Sequence, residues 1–94
     1  MVMTYDIKET DNKFYIGEDV NAPQAEITFL YHDAQTINVN HTYVSPELRG
    51  GGVAKQLFNR VIDKAKHEDL KIIPTCSYVK LQFDRDASLE SLRA

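Results

Sequence analysis

The sequence predicts an α+β fold, with a mixed, mainly antiparallel sheet that contains one parallel β-α-β crossover. Hydrophobic residues alternate with polar residues through 13–44, apolar residues then recur every four positions from Val53, and a short apolar run follows at 70–74. A chain of 94 residues can build one hydrophobic core. We therefore expect a single domain over residues 1–94.

The alternating region predicts three strands that form an antiparallel meander. Breaks fall at 17–23 and at 32–35, and the second break is short enough to join two neighbouring strands as a hairpin. The alternating positions are Phe14 and Ile16, then Ile27, Phe29 and Tyr31, then Ile37, Val39, His41 and Tyr43. His41 thus falls in phase with the apolar residues of its strand, which is typical of a core histidine with a satisfied hydrogen bond.

The region after the glycines predicts a helix over 53–67. Its apolar positions, which define one face, are Val53, Ala54, Leu57, Phe58, Val61, Ile62 and Ala65. A strand is expected at 70–74 and ends at Pro74, because proline cannot donate to a strand ladder. Strand 37–44, this helix and strand 70–74 together form the predicted parallel crossover.

The C-terminal part of the chain carries weaker signals. A second, shorter helix is expected from Ser77. Residues 86–94 are polar enough that we expect them to fray. The sequence contains no internal repeat, linker or low-complexity segment, so the single-domain prediction needs no boundary inside the chain.

The composition is that of an ordinary globular protein, with 43% hydrophobic and 27% charged residues. No stretch approaches the ~20 consecutive apolar residues of a membrane span, and the first six residues lack a basic segment followed by an apolar one. We therefore expect a cytoplasmic protein without a membrane partner. The single cysteine, Cys76, excludes an internal disulfide and cannot form a zinc site alone, so no metal is expected.

Charge is distributed unevenly along the chain, although the net charge is only −3. Residues 1–48 have a net charge of −6, residues 49–80 of +4, and residues 81–94 of −1. An anionic ligand is therefore expected at the middle segment, unless its cations are simply the solvated charges of a surface helix. Nucleic acid is disfavoured as a partner, because the overall balance is acidic and no basic patch is interleaved with aromatic residues.

Three consecutive glycines, Gly50, Gly51 and Gly52, lie between a predicted strand and the start of a predicted helix. Glycines let the backbone turn tightly and approach a ligand closely. The first turn of the helix adds amides without internal partners and the positive end of the helix dipole, and Arg49 adds a fixed positive charge. The pattern is compatible with a phosphate-binding loop, but taken alone it favours a simple tight turn.

The segment Arg49-Gly50-Gly51-Gly52-Val53-Ala54 resembles the Arg/Gln-x-x-Gly-x-Gly/Ala motif of the GNAT acetyltransferases, and it lies where that family places the motif. Three further segments resemble the minimal, stand-alone branch of this family. They are Asn40-His41-Thr42-Tyr43-Val44, Pro46-Glu47-Leu48-Arg49-Gly50 and Ile73-Pro74-Thr75-Cys76-Ser77. The resemblance covers about residues 13–83 and implies a minimal GNAT-like fold with acetyl-CoA or coenzyme A as its cofactor.

The resemblance also implies a place for each part of the cofactor. The pyrophosphate would lie on the amides of the motif, which are those of Arg49, Gly50, Gly51, Gly52, Val53 and Ala54, and Lys55 would add a second cation. The pantetheine arm would run beside Thr42, Tyr43 and Val44. Strands 37–44 and 70–76 would splay apart at their ends and admit the thioester, so that Cys76 would stand near the acetyl group.

Cys76 and His41 are the candidate catalytic residues. Acetyl transfer to an amine needs a neutral nucleophile, a group that takes its proton and stabilisation of the thioester oxygen. Cys76 is either a nucleophile that accepts the acetyl group first, favoured by the helix expected from Ser77, or a small side chain that lines the pocket. His41 is either a general base, a cofactor-shaping residue or the core histidine described above. Tyr78 is a weaker candidate for protonating the leaving thiolate.

We expect an N-acetyltransferase that moves the acetyl group of acetyl-CoA to an amine, which is a small molecule or a lysine. The alternative is a non-catalytic module that binds coenzyme A. The alternative draws support from the length of the chain, because 94 residues leave no room for the helices and final strands that build an acceptor pocket in many GNAT enzymes. Neither the acceptor nor the oligomeric state is indicated by the sequence.

Overall fold

The structure, a computed structural model, describes residues 5–94 as one mixed sheet with two helices. The strands are β1 (Lys8–Glu9), β2 (Lys13–Ile16), β3 (Ala25–Asp33), β4 (Thr36–Val44) and β5 (Lys71–Pro74). The helices are α1 (Val53–Glu68) and α2 (Ser77–Arg85), and short 3-10 helices lie at Pro46–Leu48 and Ala87–Leu92. Residues 1–4, which the predicted single domain includes, lie outside the described residues.

The strands follow one another across the sheet in the order β1-β2-β3-β4-β5. Neighbours are antiparallel from β1 to β4, and β4 pairs with β5 in parallel. The prediction of an α+β fold with a mainly antiparallel sheet and one parallel crossover is therefore confirmed. β1 is not predicted from the sequence, because a strand of two residues is too short to show an alternating pattern.

α1 covers one face of the sheet with the apolar side that its four-residue spacing predicts. Its buried residues are Val53, Leu57, Phe58, Val61, Ile62 and Ala65. They share one core with the buried strand residues Phe14, Ile16, Ala25, Ile27, Phe29, Ile37, Val39 and Ile72. α2 joins the same layer, because the ring of Phe83 lies edge-on at 6.1 Å from the ring of Phe58. Burial of a large apolar side chain contributes about 1.5–3 kcal/mol, so this packing holds α1 against the sheet.

A β-bulge at Asn40 changes which side of the sheet the second half of β4 presents. Thr28 of β3 pairs with His41, whereas the next residue of β3, Phe29, pairs with Val39, so Asn40 is an extra residue in β4. An extra residue reverses the alternation beyond it. The prediction that His41 shares a face with Val39 is therefore wrong.

The interpretation of His41 as a core histidine is wrong for the same reason. Its side chain is 55% exposed and lies on the side of the sheet opposite the helices. We call this side the open face, and it carries Glu26, Thr28, His41 and Tyr43. Beyond the bulge, Thr42 and Val44 take the positions on the helix side, since they pair with the buried residues Ile27 and Ala25.

The C-terminal segment is ordered, so the prediction that residues 86–94 fray is wrong. Leu89 is buried in the core, and the amide of Ala94 donates to the carbonyl of Ile72 at 2.8 Å. Arg93 forms ion pairs with Asp84 at 3.1 Å and with Glu90 at 3.2 Å. One apolar anchor and these polar contacts outweigh the polar composition from which fraying was expected.

Within residues 5–94, no helix has the length and apolar character that crossing a membrane requires. The cytoplasmic location expected from the sequence stays a prediction.

Candidate functional site

The connection between β4 and α1 combines a short 3-10 helix with the three glycines. The chain leaves the 3-10 helix Pro46–Leu48 at Arg49 in an extended conformation. Gly50 and Gly52 then adopt positive φ angles of 86° and 75°, a region that side chains with a Cβ rarely enter. Gly52 is also the N-cap of α1, so the helix begins immediately after this turn.

The first turn of α1 presents free amides at this turn. Within the described residues, the hydrogen bond from the amide of Gln56 to the carbonyl of Gly52, at 3.1 Å, is the first of the helix. The amides of Val53, Ala54 and Lys55 therefore have no helical carbonyl to which they can donate. Such amides, at the positive end of the helix dipole, favour an anionic ligand.

A cavity of about 210 Å³ opens at this end of α1. It is lined by Val44, Leu48, Arg49, Gly50, Gly52, Val53, Ala54, Lys55 and Tyr78. The lining thus contains most of the residues that the sequence assigns to the cofactor. Leu48 belongs to it as well, although no sequence signal distinguishes Leu48 from an ordinary apolar loop residue.

The two cations of the cavity differ in what holds them. Arg49 donates from Nε to the carbonyl of Val44 at 3.1 Å, and within residues 5–94 it forms no ion pair. This bond orients the guanidinium, and its other nitrogens remain available to an anion. Lys55 donates from Nζ to Oε1 of Gln82 in α2 at 3.0 Å, so its charge is partly engaged by a neighbouring helix.

β4 and β5 separate close to the cavity, as expected for the splayed pair. Their parallel ladder ends at the pair of Val39 with Pro74, since Pro74 has no amide to continue it. One further backbone bond, from the amide of Cys76 to the carbonyl of Val39 at 3.0 Å, closes the junction. Residues 40–44 of β4 then continue without a β5 partner, because the chain turns into α2 at Ser77.

Cys76 and Tyr78 stand beside this opening. Sγ of Cys76 lies 3.4 Å from the hydroxyl of Thr42, and either atom can be the donor. Tyr78 lines the cavity and packs edge-on against Phe58, with 6.3 Å between the ring centroids. Burial, and to a lesser degree the charge of Cys76, raises the pKa of Tyr78, so its phenol stays protonated at neutral pH.

His41 and Tyr43 are separated from the rest of the predicted site residues. Both side chains lie on the open face, whereas Thr42 between them lies on the helix side with Cys76. Nε2 of His41 lies 3.7 Å from a carboxylate oxygen of Glu26 on β3. The sequence gives no sign of Glu26, because only the strand register shows that it shares a face with His41.

Gly51 has a different position from its neighbours in the loop. A Cβ at this position would lie 3.6 Å from the carbonyl of Leu48 and 3.8 Å from the hydroxyl of Tyr5, which are ordinary contacts. Gly51 therefore faces the protein, whereas Gly50 and Gly52 line the cavity.

Comparison with known families supports the resemblance seen in the motifs. A family model described as GCN5-related N-acetyl-transferase matches residues 13–92. Among solved structures, a GCN5-like protein from Staphylococcus aureus has a TM-score of 0.78 at 43% sequence identity, over 95% of this chain and 87% of that chain. The predicted family and the predicted GNAT-like fold are thereby confirmed.

Two further similarities are more distant and cover less of the chains compared. A GNAT family acetyltransferase from Elizabethkingia anophelis, crystallised with acetyl-CoA bound, has a TM-score of 0.54 at 21% identity, over 78% of this chain and 50% of that chain. This similarity concerns the fold alone. Protein NATD1 of Xenopus tropicalis is 35% identical over 57 residues, which are 61% of this chain and 52% of that protein. The chain spans about half the length of such relatives.

Proposed function

The chain belongs to the GCN5-related N-acetyltransferase family, and from this membership we propose that it transfers the acetyl group of acetyl-CoA to an amine. The observation that carries the proposal is the cavity of about 210 Å³ where Arg49 and the free amides of α1 meet, next to the point where β4 and β5 separate. Acetyl-CoA, when bound, supplies an anionic pyrophosphate and an activated thioester. The acceptor is a small amine or a protein lysine.

Arg49 and the first amides of α1 hold the pyrophosphate in this proposal. The bond from Nε of Arg49 to the carbonyl of Val44 directs the guanidinium and leaves its two terminal nitrogens for phosphate oxygens. The positive φ of Gly52 keeps side-chain atoms away from the amides of Val53 and Ala54. Lys55 adds positive charge, although it also donates to Gln82.

The opening between β4 and β5 receives the acyl end. Thr42 and Val44 lie on the helix side of β4, and Cys76 faces Thr42 across the opening. The edge of residues 40–44 carries backbone groups that β5 does not pair, and these groups can orient a pantetheine arm. Tyr78 holds a proton at the cavity wall and can give it to a thiolate.

We assign Cys76 to the lining of the opening rather than to covalent catalysis. Its sulfur contacts the hydroxyl of Thr42, and within residues 5–94 no lysine, arginine or histidine donates a hydrogen bond to it. An activated thiolate usually has a cationic neighbour in addition to a helix N-terminus. Direct transfer from the thioester to the amine needs no second thiol.

A non-catalytic module that binds coenzyme A is the second candidate, and one feature of the fold favours it. The segment between β2 and β3, residues 17–24, contains no helix that would wall an acceptor pocket. His41 on the open face is 55% exposed, so no element among the described residues encloses an acceptor there.

Turnover of acetyl-CoA across a panel of amines distinguishes the two functions. The panel comprises polyamines, lysine peptides and small aromatic amines, and release of free coenzyme A thiol is the measurement. We expect transfer to at least one amine at a rate above thioester hydrolysis. Binding of coenzyme A with no transfer to any amine would favour the module, and absence of both would contradict the proposed function.

A further inference from the structure

We propose that the acceptor amine binds on the open face of the sheet, where Glu26 positions His41 to take the proton of the amine. This proposal rests on the acetyltransferase function proposed above and concerns the side of the reaction that the cavity does not explain. The cavity and Cys76 lie on the helix side of β4, whereas His41 and Glu26 lie on the opposite side of the same strand pair.

The bulge at Asn40 creates this arrangement. Without the extra residue, the side chain at position 41 would continue the inward row of Ile37 and Val39 and would be buried under α1. With it, His41 is 55% exposed and available to a ligand from solvent. Bulges commonly redirect a side chain next to an active site, and here the redirected residue is a proton acceptor.

Glu26 is held in a fixed position beside His41. Its side chain is only 17% exposed, and one carboxylate oxygen accepts a hydrogen bond from Nζ of Lys13 at 2.8 Å. Lys13 is itself anchored, since its ammonium also donates to the carbonyl of Val20 at 2.6 Å. The other carboxylate oxygen lies 3.7 Å from Nε2 of His41. Lys13 from β2 and Glu26 from β3 are thus the charged groups beside the imidazole.

This contact places a carboxylate beside the ring without a hydrogen bond, since 3.7 Å exceeds the usual donor–acceptor distance. Glu26 is therefore a positioning residue that acts on the ring through its charge, and the imidazole of His41 is the group that meets the amine.

His41 is close to the transfer site along the chain. It precedes Thr42, whose hydroxyl lies 3.4 Å from Cys76 at the opening between β4 and β5. Among the described residues, 40–44 of β4 have no β5 partner, so no strand ladder separates the helix side from the open face there. An acyl group that enters from the helix side is therefore reachable by an amine from the open face.

The transfer step balances with these groups. The amine nitrogen attacks the thioester carbonyl carbon, the new C–N bond forms and the C–S bond breaks. The nitrogen loses its proton to the imidazole of His41. The electron pair of the C–S bond leaves with sulfur, which takes a proton from Tyr78, and solvent then restores both side chains. The net products are an acetylated amine and free coenzyme A.

A conjugate that joins coenzyme A through an acetyl bridge to the side-chain nitrogen of a blocked lysine tests the position of the acceptor. We expect calorimetry to show that the conjugate binds wild type about tenfold or more tightly than coenzyme A, since it occupies both subsites. In His41→Ala this gain is lost, and in Glu26→Gln it is reduced. His32→Ala, at an exposed histidine near the end of β3, keeps the full gain and is the matched control.

Chemical-shift mapping gives a readout that does not depend on turnover. Relative to coenzyme A alone, the lysine arm should shift the amides of 26–28 and 40–43. An arm that perturbs only helix-side residues, or a gain that survives His41→Ala, would overturn the proposal while leaving cofactor binding intact. Failure of both ligands to perturb residues 49–55 would instead contradict the proposed function.

Kinetics with the best amine of the panel test the chemical role. His41→Ala should lower kcat about a hundredfold or more with an unchanged KM for acetyl-CoA, and added imidazole should restore part of the rate. Glu26→Gln should also lower kcat without changing that KM. A His41→Ala protein with wild-type kcat would exclude the role of base.

Discussion

At the scale of single residues, the three loop glycines are not equivalent. Gly50 and Gly52 have positive φ angles, and Gly51 does not. A Cβ at Gly52 would meet no atom within 4 Å, so the protein leaves space there and only the backbone conformation opposes a side chain. The sequence predicts the glycine run as a cofactor loop, but it cannot show which glycine faces the ligand, because that depends on the φ of each residue.

Replacement of Gly52 by valine should abolish binding of coenzyme A. A β-branched residue in the left-handed region costs on the order of 1–2 kcal/mol in stability, and its methyl groups occupy the space in front of the first amides of α1. Gly51→Ala is the matched control and should bind as wild type does, since its Cβ meets only ordinary contacts. Calorimetry measures the affinity, and equal affinities in the two variants would remove the loop from the site.

Replacement of Cys76 distinguishes direct transfer from an acetyl-cysteine route. For a residue that only lines the opening, Cys76→Ser and Cys76→Ala should retain most of the transfer rate, because both changes are small in volume. Steady-state transfer rates and intact mass after mixing with acetyl-CoA are the measurements. An acetyl-cysteine that forms and decays at the catalytic rate would establish Cys76 as the nucleophile.

At the scale of the elements, hydrophobic periodicity predicts the positions of helices and strands. It does not predict the pairing register between strands. α1 and β5 lie at the predicted positions within one residue at each end. The alternation does not reveal the bulge at Asn40, because the positions after it mix polar and hydrophobic residues on both parities: His41 and Tyr43 on one, Thr42 and Val44 on the other. The composition predicts fraying of the C-terminal segment and is wrong there, because one buried leucine, Leu89, anchors an otherwise polar stretch.

The anchoring role of Leu89 predicts a clear contrast between two leucines. Leu89→Ala should destabilise the protein by about 2–3 kcal/mol, since the side chain is buried in the core. Leu81→Ala on α2, where the residue is 43% exposed, should change stability by about 0.5 kcal/mol or less. Chemical denaturation measures both values. Equal stabilities of the two variants would show that the C-terminal segment contributes nothing to the core.

At the scale of the whole molecule, the charge distribution and the fold indicate the same place for the proposed anion site. The positive segment, residues 49–80, contains the loop, all of α1 and β5. The acidic first half forms most of the sheet and includes Glu26 on the open face. The proposed cofactor side of the site can be predicted from the sequence, because its residues form one contiguous motif. For the proposed acceptor side, the sequence names His41 but not Glu26, since the two residues meet only through strand pairing.

Binding of coenzyme A should weaken with salt through Arg49 and Lys55. Exposed charges are screened over about 8 Å at physiological ionic strength, so the phosphate contacts are weakened most. Phosphate-free pantetheine should show a much smaller salt dependence. Calorimetric titrations of both ligands at several salt concentrations make the comparison, and equal salt dependence would contradict a role for these cations.

The most direct test of the account is a titration of the isotope-labelled protein with acetyl-CoA, followed by amide chemical shifts. The account predicts saturable shifts at a ratio of one ligand per chain, largest for residues 49–55 and extending along 42–44 to Cys76. These residues contain the first amides of α1, the guanidinium of Arg49 and the edge of β4 that β5 does not pair. Saturable shifts confined to another surface, or the absence of any shift at millimolar acetyl-CoA, would contradict the account.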